Sequence, residues 1–278
     1  MIDGRAHPKH ATAASDFRYH CARDLRIAPL GPPRPRTHQP QDSDVSSLNF
    51  IGGEKGGVGK SVAARVLAQY FIDKGQPFTA YDTDRSHSSF ARFYSDFASP
   101  VVVDSFEGLD QIVASFEEPP VEGKYKSVIV DLAAQTAAPL SRWIKESDLL
   151  PLLGEMHIAV NFWHLADGGK DSVDLLERLV KTYGADANYI VVRNQGRGSD
   201  FSLLDESEAL KHARARGARV ITLAALHEAS MRKIDRQNAS FWAAINNRTD
   251  PDSLGILERQ RVKTWLKSTY ETLDGLPL

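Results

Sequence analysis

Lys55-Gly56-Gly57-Val58-Gly59-Lys60-Ser61 describes a loop built to hold phosphate groups, and the rest of the chain is best read outward from it. Three glycines in four positions leave no Cβ in the way, so successive backbone N–H groups can turn inward and cradle anionic oxygens. The positive end of a following helix points at the same spot. Lys60 supplies a mobile ammonium for β and γ phosphates, and the Ser61 hydroxyl is placed to ligate an accompanying Mg²⁺. The flanks satisfy the context such a motif needs. Leu48-Asn49-Phe50-Ile51-Gly52-Gly53 reads as a short apolar strand, and Ser61 to Lys74 carries Val62, Val66, Leu67, Tyr70 and Phe71 at helical spacing before Gly75 as a stop.

From residue 47 onward strands and helices alternate. Strands are expected at 47–52, 78–82, 100–104, 126–132, 156–163, 188–193 and 218–223, with helices at 107–117, 138–146, 169–183 and 201–216 between them. This predicts an α/β fold: a mainly parallel sheet of about seven strands with helices on both faces. Ligands bind such sheets at the carboxyl ends of the strands, which directs attention to the residues just past each strand. Phe78-Thr79-Ala80-Tyr81 runs into Asp82-Thr83-Asp84-Arg85, Val128-Ile129-Val130 into Asp131, and Ile190-Val191-Val192-Arg193 into Asn194. Asp131, at the end of an apolar strand, suits a carboxylate that holds Mg²⁺ through water. Asp84 has a second reading as the N-cap of a following helix, with Ser86 as the other candidate. Asn194 before Gly196 also has the ordinary reading of a turn-forming asparagine.

The second lysine in KGGVGKS gives the loop a family likeness. It resembles the deviant Walker A box of the ParA/MinD ATPases, P-loop NTPases that dimerise face to face around nucleotide. The resemblance implies that residues 47–278 form a P-loop ATPase domain using ATP and Mg²⁺. It implies a cradle of Glu54, Lys55, Gly56, Gly57, Val58, Gly59, Lys60, Ser61 and Val62, with Lys55 reaching the phosphates of the other subunit. By the same resemblance Asp82 and Asp131 join Ser61 around the metal, Asp84 orients the attacking water, and Asn194 reads adenine. Glu54 stands where an ordinary P-loop has glycine, and its carboxylate is expected to point away from the phosphates. Partition members continue after Asp84 with Pro-Gln-Gly-Asn, where this chain has Arg85-Ser86-His87-Ser88. After Asp131, Ala134 replaces the usual glycine or proline, leaving Gln135 or Thr136 as the polar groups of the γ-phosphate-sensing segment.

Over residues 48 to 275 the order of features is similar to the TraL-type ATPases of plasmid conjugal-transfer regions, which implies a homodimer serving conjugation or mobilisation. A partition ATPase holding DNA non-specifically, a non-hydrolysing ATP-sensing scaffold and a phosphate-transferring synthetase are the competing classes; no motif for a synthetase's second substrate is visible. Net charge is −2 with 25% charged residues, so any DNA contact must be a local patch. Lys211, Arg214, Arg216, Arg219, Arg232, Lys233 and Arg236 are the candidates, against the alternative of a solvated face balanced by Glu206, Glu208 and Glu228. The single Cys21 excludes a disulfide framework and also a cluster like that of the nitrogenase iron protein, whose loop is similar. No apolar run reaches membrane-spanning length, so the cytoplasm is the expected location. Residues 262–278, with Trp265, Leu266 and Tyr270, are expected to pack on the core because Glu271 and Asp274 spoil a lipid-binding face. Residues 1–46 hold six of the fourteen prolines and four of the nine histidines. They read as a disordered extension, with a docking arm or an over-extended reading frame as alternatives.

Overall fold

The computed structural model describes residues 45–52, 54–118, 125–249 and 251–278. The expectations for residues 1–44 lie outside them. Seven strands form one fully parallel sheet: β1 (Ser46–Gly52), β2 (Phe78–Asp82), β3 (Ala98–Pro100), β4 (Ser127–Asp131), β5 (Ile158–Ala166), β6 (Asn188–Asn194) and β7 (Arg219–Leu223), in the order β3-β2-β4-β1-β5-β6-β7. β1 and β4 lie in the interior of the sheet and are almost wholly buried, which is why SVIVD reads as a continuous apolar run and not as an alternation. The chain leaves β1 for β2, returns to insert β4 between them, then moves to the other side for β5. That reversal opens the crevice at the carboxyl ends of β1 and β4. Register places Asp131 level with both Ile51 and Asp82.

Two hydrophobic layers cover the sheet. Val128 and Val130 of β4, with Leu48 and Phe50 of β1, face α2 (Phe106–Ala114), α3 (Ala137–Glu146), α4 (Leu149–Glu155), α5 (Lys170–Tyr183), α6 (Ser202–Asp205) and α7 (Glu208–Ala215). Ile51 and Ile129 face α1 (Lys60–Lys74), α8 (Glu228–Arg236), α9 (Phe241–Asn246) and α10 (Ile256–Leu273). The alternation is the period of two expected along each strand. α1 lies between the sheet and α9, so even Arg65 is buried in it, paired with Asp235 at 2.8 Å and stacked on Phe93. It stops at Gly75, whose left-handed φ of 63° lets its N–H reach back to Ile72.

Among the boundaries that differ from the reading of the sequence, two have a plain physical reason. Val101-Val102-Val103 looks like a strand, but β2 ends at Asp82, so the pairing stops at Asp82 opposite Pro100; Val101 and Val103 pack in the core instead. The helix expected at 201–216 breaks in two because Ser207 is extended and its hydroxyl accepts from Leu210 N at 3.1 Å, capping α7. The C-terminal segment packs on the core as expected, with Val262, Trp265, Leu266 and Leu273 buried.

A buried polar cluster ties this segment to the sheet. Asn161 donates to Asn49 Oδ1 at 3.0 Å and to the Pro277 carbonyl at 2.9 Å, and accepts from Asn188 at 3.0 Å. Asn161→Leu would strand several of these groups in the interior, each at about 1–3 kcal/mol before relaxation. An overall loss of about 2–4 kcal/mol is expected, read from the urea midpoint at unchanged m-value.

Candidate functional site

Gly57 and Gly59 adopt φ of 75° and 97°, conformations that side chains rarely take, and the loop they shape delivers Lys60 to the first turn of α1. Lys60 is only 8% exposed, and its ammonium donates to the Lys55 carbonyl at 2.8 Å. Burial lowers its pKa, opposed by the charges of Asp131 and Asp84. The loop is therefore folded around its own cation at the place where an incoming phosphate would compete for it.

Asp131 stands behind the loop. It is 2% exposed, and its Oδ1 has no hydrogen-bond partner. Burial pushes its pKa up to about 7, against a hydrogen bond from Ser61, with the neighbouring Asp82 adding to the rise. A buried carboxyl with one oxygen unclaimed, beside a serine hydroxyl, is a donor set that suits a divalent cation. Ser61 and Asp131 thus meet as expected.

Asp82, level with Asp131 in the neighbouring strand, also has a task within its own loop. Its Oδ1 accepts from Asp84 N at 2.8 Å, and its Oδ2 accepts from Phe90 N and Ala91 N, both at 2.9 Å. Through these three backbone donors the carboxylate organises the loop from Asp84 to Ala91. Asp84 caps the next turn, accepting from Ser86 N at 3.0 Å and His87 N at 3.1 Å, and its Oδ2 lies 3.5 Å from His87 Nδ1. Its side chain remains 27% exposed, so the cap role and a water-orienting role are compatible. Thr83 joins the two carboxylate-bearing strand ends: its N–H donates to Asp131 O at 3.0 Å, and its hydroxyl accepts from Ala133 N at 2.7 Å. Past Ala133, Thr136 donates its hydroxyl to Ala133 O at 2.9 Å, while Gln135 is exposed with a left-handed φ of 66°.

Asn194 is buried and grips the loop. Its amide donates to Val58 O at 2.7 Å and accepts from Gly196 N at 3.0 Å, which commits one N–H and one lone pair of the group to bracing the loop. A Cβ on Gly59 would sit 2.2 Å from this amide, so the glycine is required by the brace as well as by the turn. Glu54 turns toward Arg178 of α5, at 3.4 Å. Lys55 lies apart from the cradle, 2.9 Å from Asp167 and 3.5 Å from Asp171. Neither aspartate stands out in the sequence. The signal is present, because β5 runs on to Ala166 and Asp167 is the residue just past a strand end; a strand ended at 163 hides it.

The basic candidates do not share one face. Lys211, Arg214 and Arg216 belong to the α7 side, Arg232, Lys233 and Arg236 to α8 across the sheet, with Arg219 on the edge strand between. Lys211 pairs with Glu208 at 2.7 Å, Arg232 with Glu228 at 3.6 Å and Lys233 with Glu258 at 2.8 Å. Among the described residues no helix is long and apolar enough to cross a membrane.

Strand, glycine loop and helix together make a nucleotide-binding P-loop at the carboxyl edge of a parallel sheet. No family model matches the chain. It is 26% identical to Protein TraL of Escherichia coli over 248 residues, which span 83% of this chain and 98% of that protein. It is 23% identical to Protein MobD of Acidithiobacillus ferrooxidans over 238 residues, 84% of this chain and 98% of that one. A solved structure, the MinD cell division protein of Aquifex aeolicus, is similar at 12% identity and a TM-score of 0.45, covering 81% of this chain and 97% of that chain. The chain is a relative of TraL and MobD along nearly their full length, in keeping with the TraL-type resemblance of its boxes.

Proposed function

We propose that the protein is a slow, partner-stimulated ATPase whose subunits associate face to face on Mg²⁺-ATP and separate after hydrolysis. The dimer is the form that engages a component of a plasmid conjugal-transfer apparatus. The observation that carries the reading is the pair of lysines in one loop: Lys60 buried in the cradle, and Lys55 outside it, where it cannot serve its own phosphates in the same way. In this reading Lys60 and the loop N–H groups hold the triphosphate, Ser61 and Asp131 hold the cation, Asp84 orients water, and Asn194 keeps the loop in register at Val58. The bound Mg²⁺ would supply charge neutralisation and orientation of the phosphate oxygens.

The test is steady-state phosphate release alongside sedimentation of the full chain. Lys55→Ala is expected to leave nucleotide affinity within about threefold, since in its own subunit it removes only a partly exposed ion pair with Asp167, and to remove nucleotide-dependent association. Wild-type association in that variant would dismiss the reading. Asp84→Ala is expected to slow turnover by about 100-fold or more, the usual share of a proton-accepting or water-orienting group, while the dimer accumulates on ATP. Unchanged turnover would leave Asp84 only its turn-capping role. Phosphate release absent from the wild-type chain under every condition would favour the non-hydrolysing scaffold.

A further inference from the structure

The partner of Lys55 is itself a built site. Asp167 Oδ1 accepts from the Ser172 hydroxyl at 2.8 Å and from Gly169 N at 3.1 Å, which leaves Oδ2 aimed at the Lys55 ammonium, 2.9 Å away. Ser172 is 1% exposed, and its carbonyl accepts from Nε2 of the buried His164 at 2.7 Å, so the orienting group is fixed from below. The loop carrying Asp167 is wedged as well. A Cβ on Gly168 would meet the Asp200 carbonyl at 2.1 Å, and one on Gly198 would meet the Asp167 carbonyl at 2.7 Å. Gly169 adds clearance, its hypothetical Cβ lying 3.2 Å from Lys55 Nζ. A second carboxylate, Asp171, stands 3.5 Å away on the first turn of α5. This is more organisation than a chance surface pair has, since such pairs ordinarily hold two mobile side chains with no support.

We propose that Asp167, backed by Asp171, is a cis latch that stows Lys55 against its own subunit and must release it before Lys55 can reach a triphosphate held by a second copy of the chain. The inference rests on the reading of Lys55 as the cation that acts between subunits. Its consequence is selectivity. Lys55 leaves one carboxylate pair only for a stronger array of anionic oxygens, so a triphosphate in the facing subunit competes better than a diphosphate, and association follows the state of the nucleotide. Asp167 is thus a positioning residue, acting through Lys55 and touching no nucleotide.

The experiment is sedimentation velocity of the full chain with Mg²⁺ and either a slowly hydrolysed ATP analogue or ADP. Asp167→Asn removes the charge but keeps an oxygen for Ser172 and Gly169, so the loop is preserved. Releasing one such pair is worth a factor of about three to five, and a dimer contains two, so the dissociation constant should fall roughly tenfold. Association on ADP should become detectable, and the Lys55→Ala/Asp167→Asn double variant should gain nothing over Lys55→Ala. Asp171→Asn, on a more exposed position, should shift the constant in the same direction by about twofold. It keeps the test open should the first variant fold poorly. Unchanged or weaker association in both aspartate variants, with wild type associating and Lys55→Ala not, would overturn the latch and leave the intersubunit reading intact. Failure of the wild-type chain to associate on any nucleotide removes that reading and the latch together.

Discussion

Lys60→Ala severely weakens nucleotide binding, with an expected loss of about 30- to 5,000-fold in affinity. The size follows from where the ammonium sits. Lys60 is 8% exposed in the cradle, so its attraction to phosphate oxygens acts in a region that water screens poorly, and charge-assisted bonds there are worth well above neutral ones. Removing one member of a desolvated, hydrogen-bonded charge pair typically costs 2–5 kcal/mol, much of it from the charge left behind. Here Asp131 and Asp84 act on the charge of Lys60, and Lys60 is the cation whose charge offsets Asp131. Without it the triphosphate meets net negative charge. Titration calorimetry with ATP and with ADP measures the effect, and both ligands should bind more weakly. Retained binding within tenfold would mean that the backbone amides alone carry the affinity. Lys60→Arg is expected to recover little, because a planar fork cannot replace a compact ammonium whose single visible bond is to the Lys55 carbonyl at 2.8 Å.

What could be read from the chain alone divides along the range of the interaction. The P-loop was legible because its chemistry is written in seven adjacent residues, and strand ends such as Asp131 because a β-branched run closing on a carboxylate is a local pattern. The fold class was legible for the same reason, although Val101-Val102-Val103 misled: a strand needs a partner, and β2 has none to offer past Asp82. The site's supporting contacts were invisible because they cross the fold. Asn194 reaches the carbonyl of Val58 136 residues away, and no spacing rule relates an amide after β6 to a loop after β1. Lys55 and Asp167 meet only because β1 and β5 are neighbours in the sheet, with Gly52 opposite His164. Asp82 shows the same gap at short range. Its motif position says nothing of the three backbone donors with which the turn after β2 surrounds it, a local fact that the residue types do not announce.

Asp131→Asn should make the nucleotide-free protein more stable at neutral pH, and the pH dependence carries the proof. Burial raises the Asp131 pKa from 3.8 to about 7, so between these values the folded state keeps a proton that the unfolded state has lost. The stability this contributes is fully present below about pH 4 and is lost as pH rises through about 7, by up to 1.4 kcal/mol per pH unit. His164 acts in the opposite sense over part of the same window. Burial lowers its pKa from 6.5 to about 4, so the unfolded chain binds the extra proton there and stability grows as pH rises toward 6.5. The two slopes offset each other in the wild-type curve, which is why the curve alone decides nothing. The difference between wild type and Asp131→Asn isolates the carboxyl, because His164 is common to both. Denaturation in chelator at several values between pH 4.5 and 7.5 should show that difference moving in favour of the variant by on the order of a few kcal/mol. A flat difference would mean that Asp131 ionises normally in the folded protein. It would then lack the uncompensated electrostatic cost that a divalent cation, by accepting the orphaned oxygen beside Ser61, is positioned to relieve.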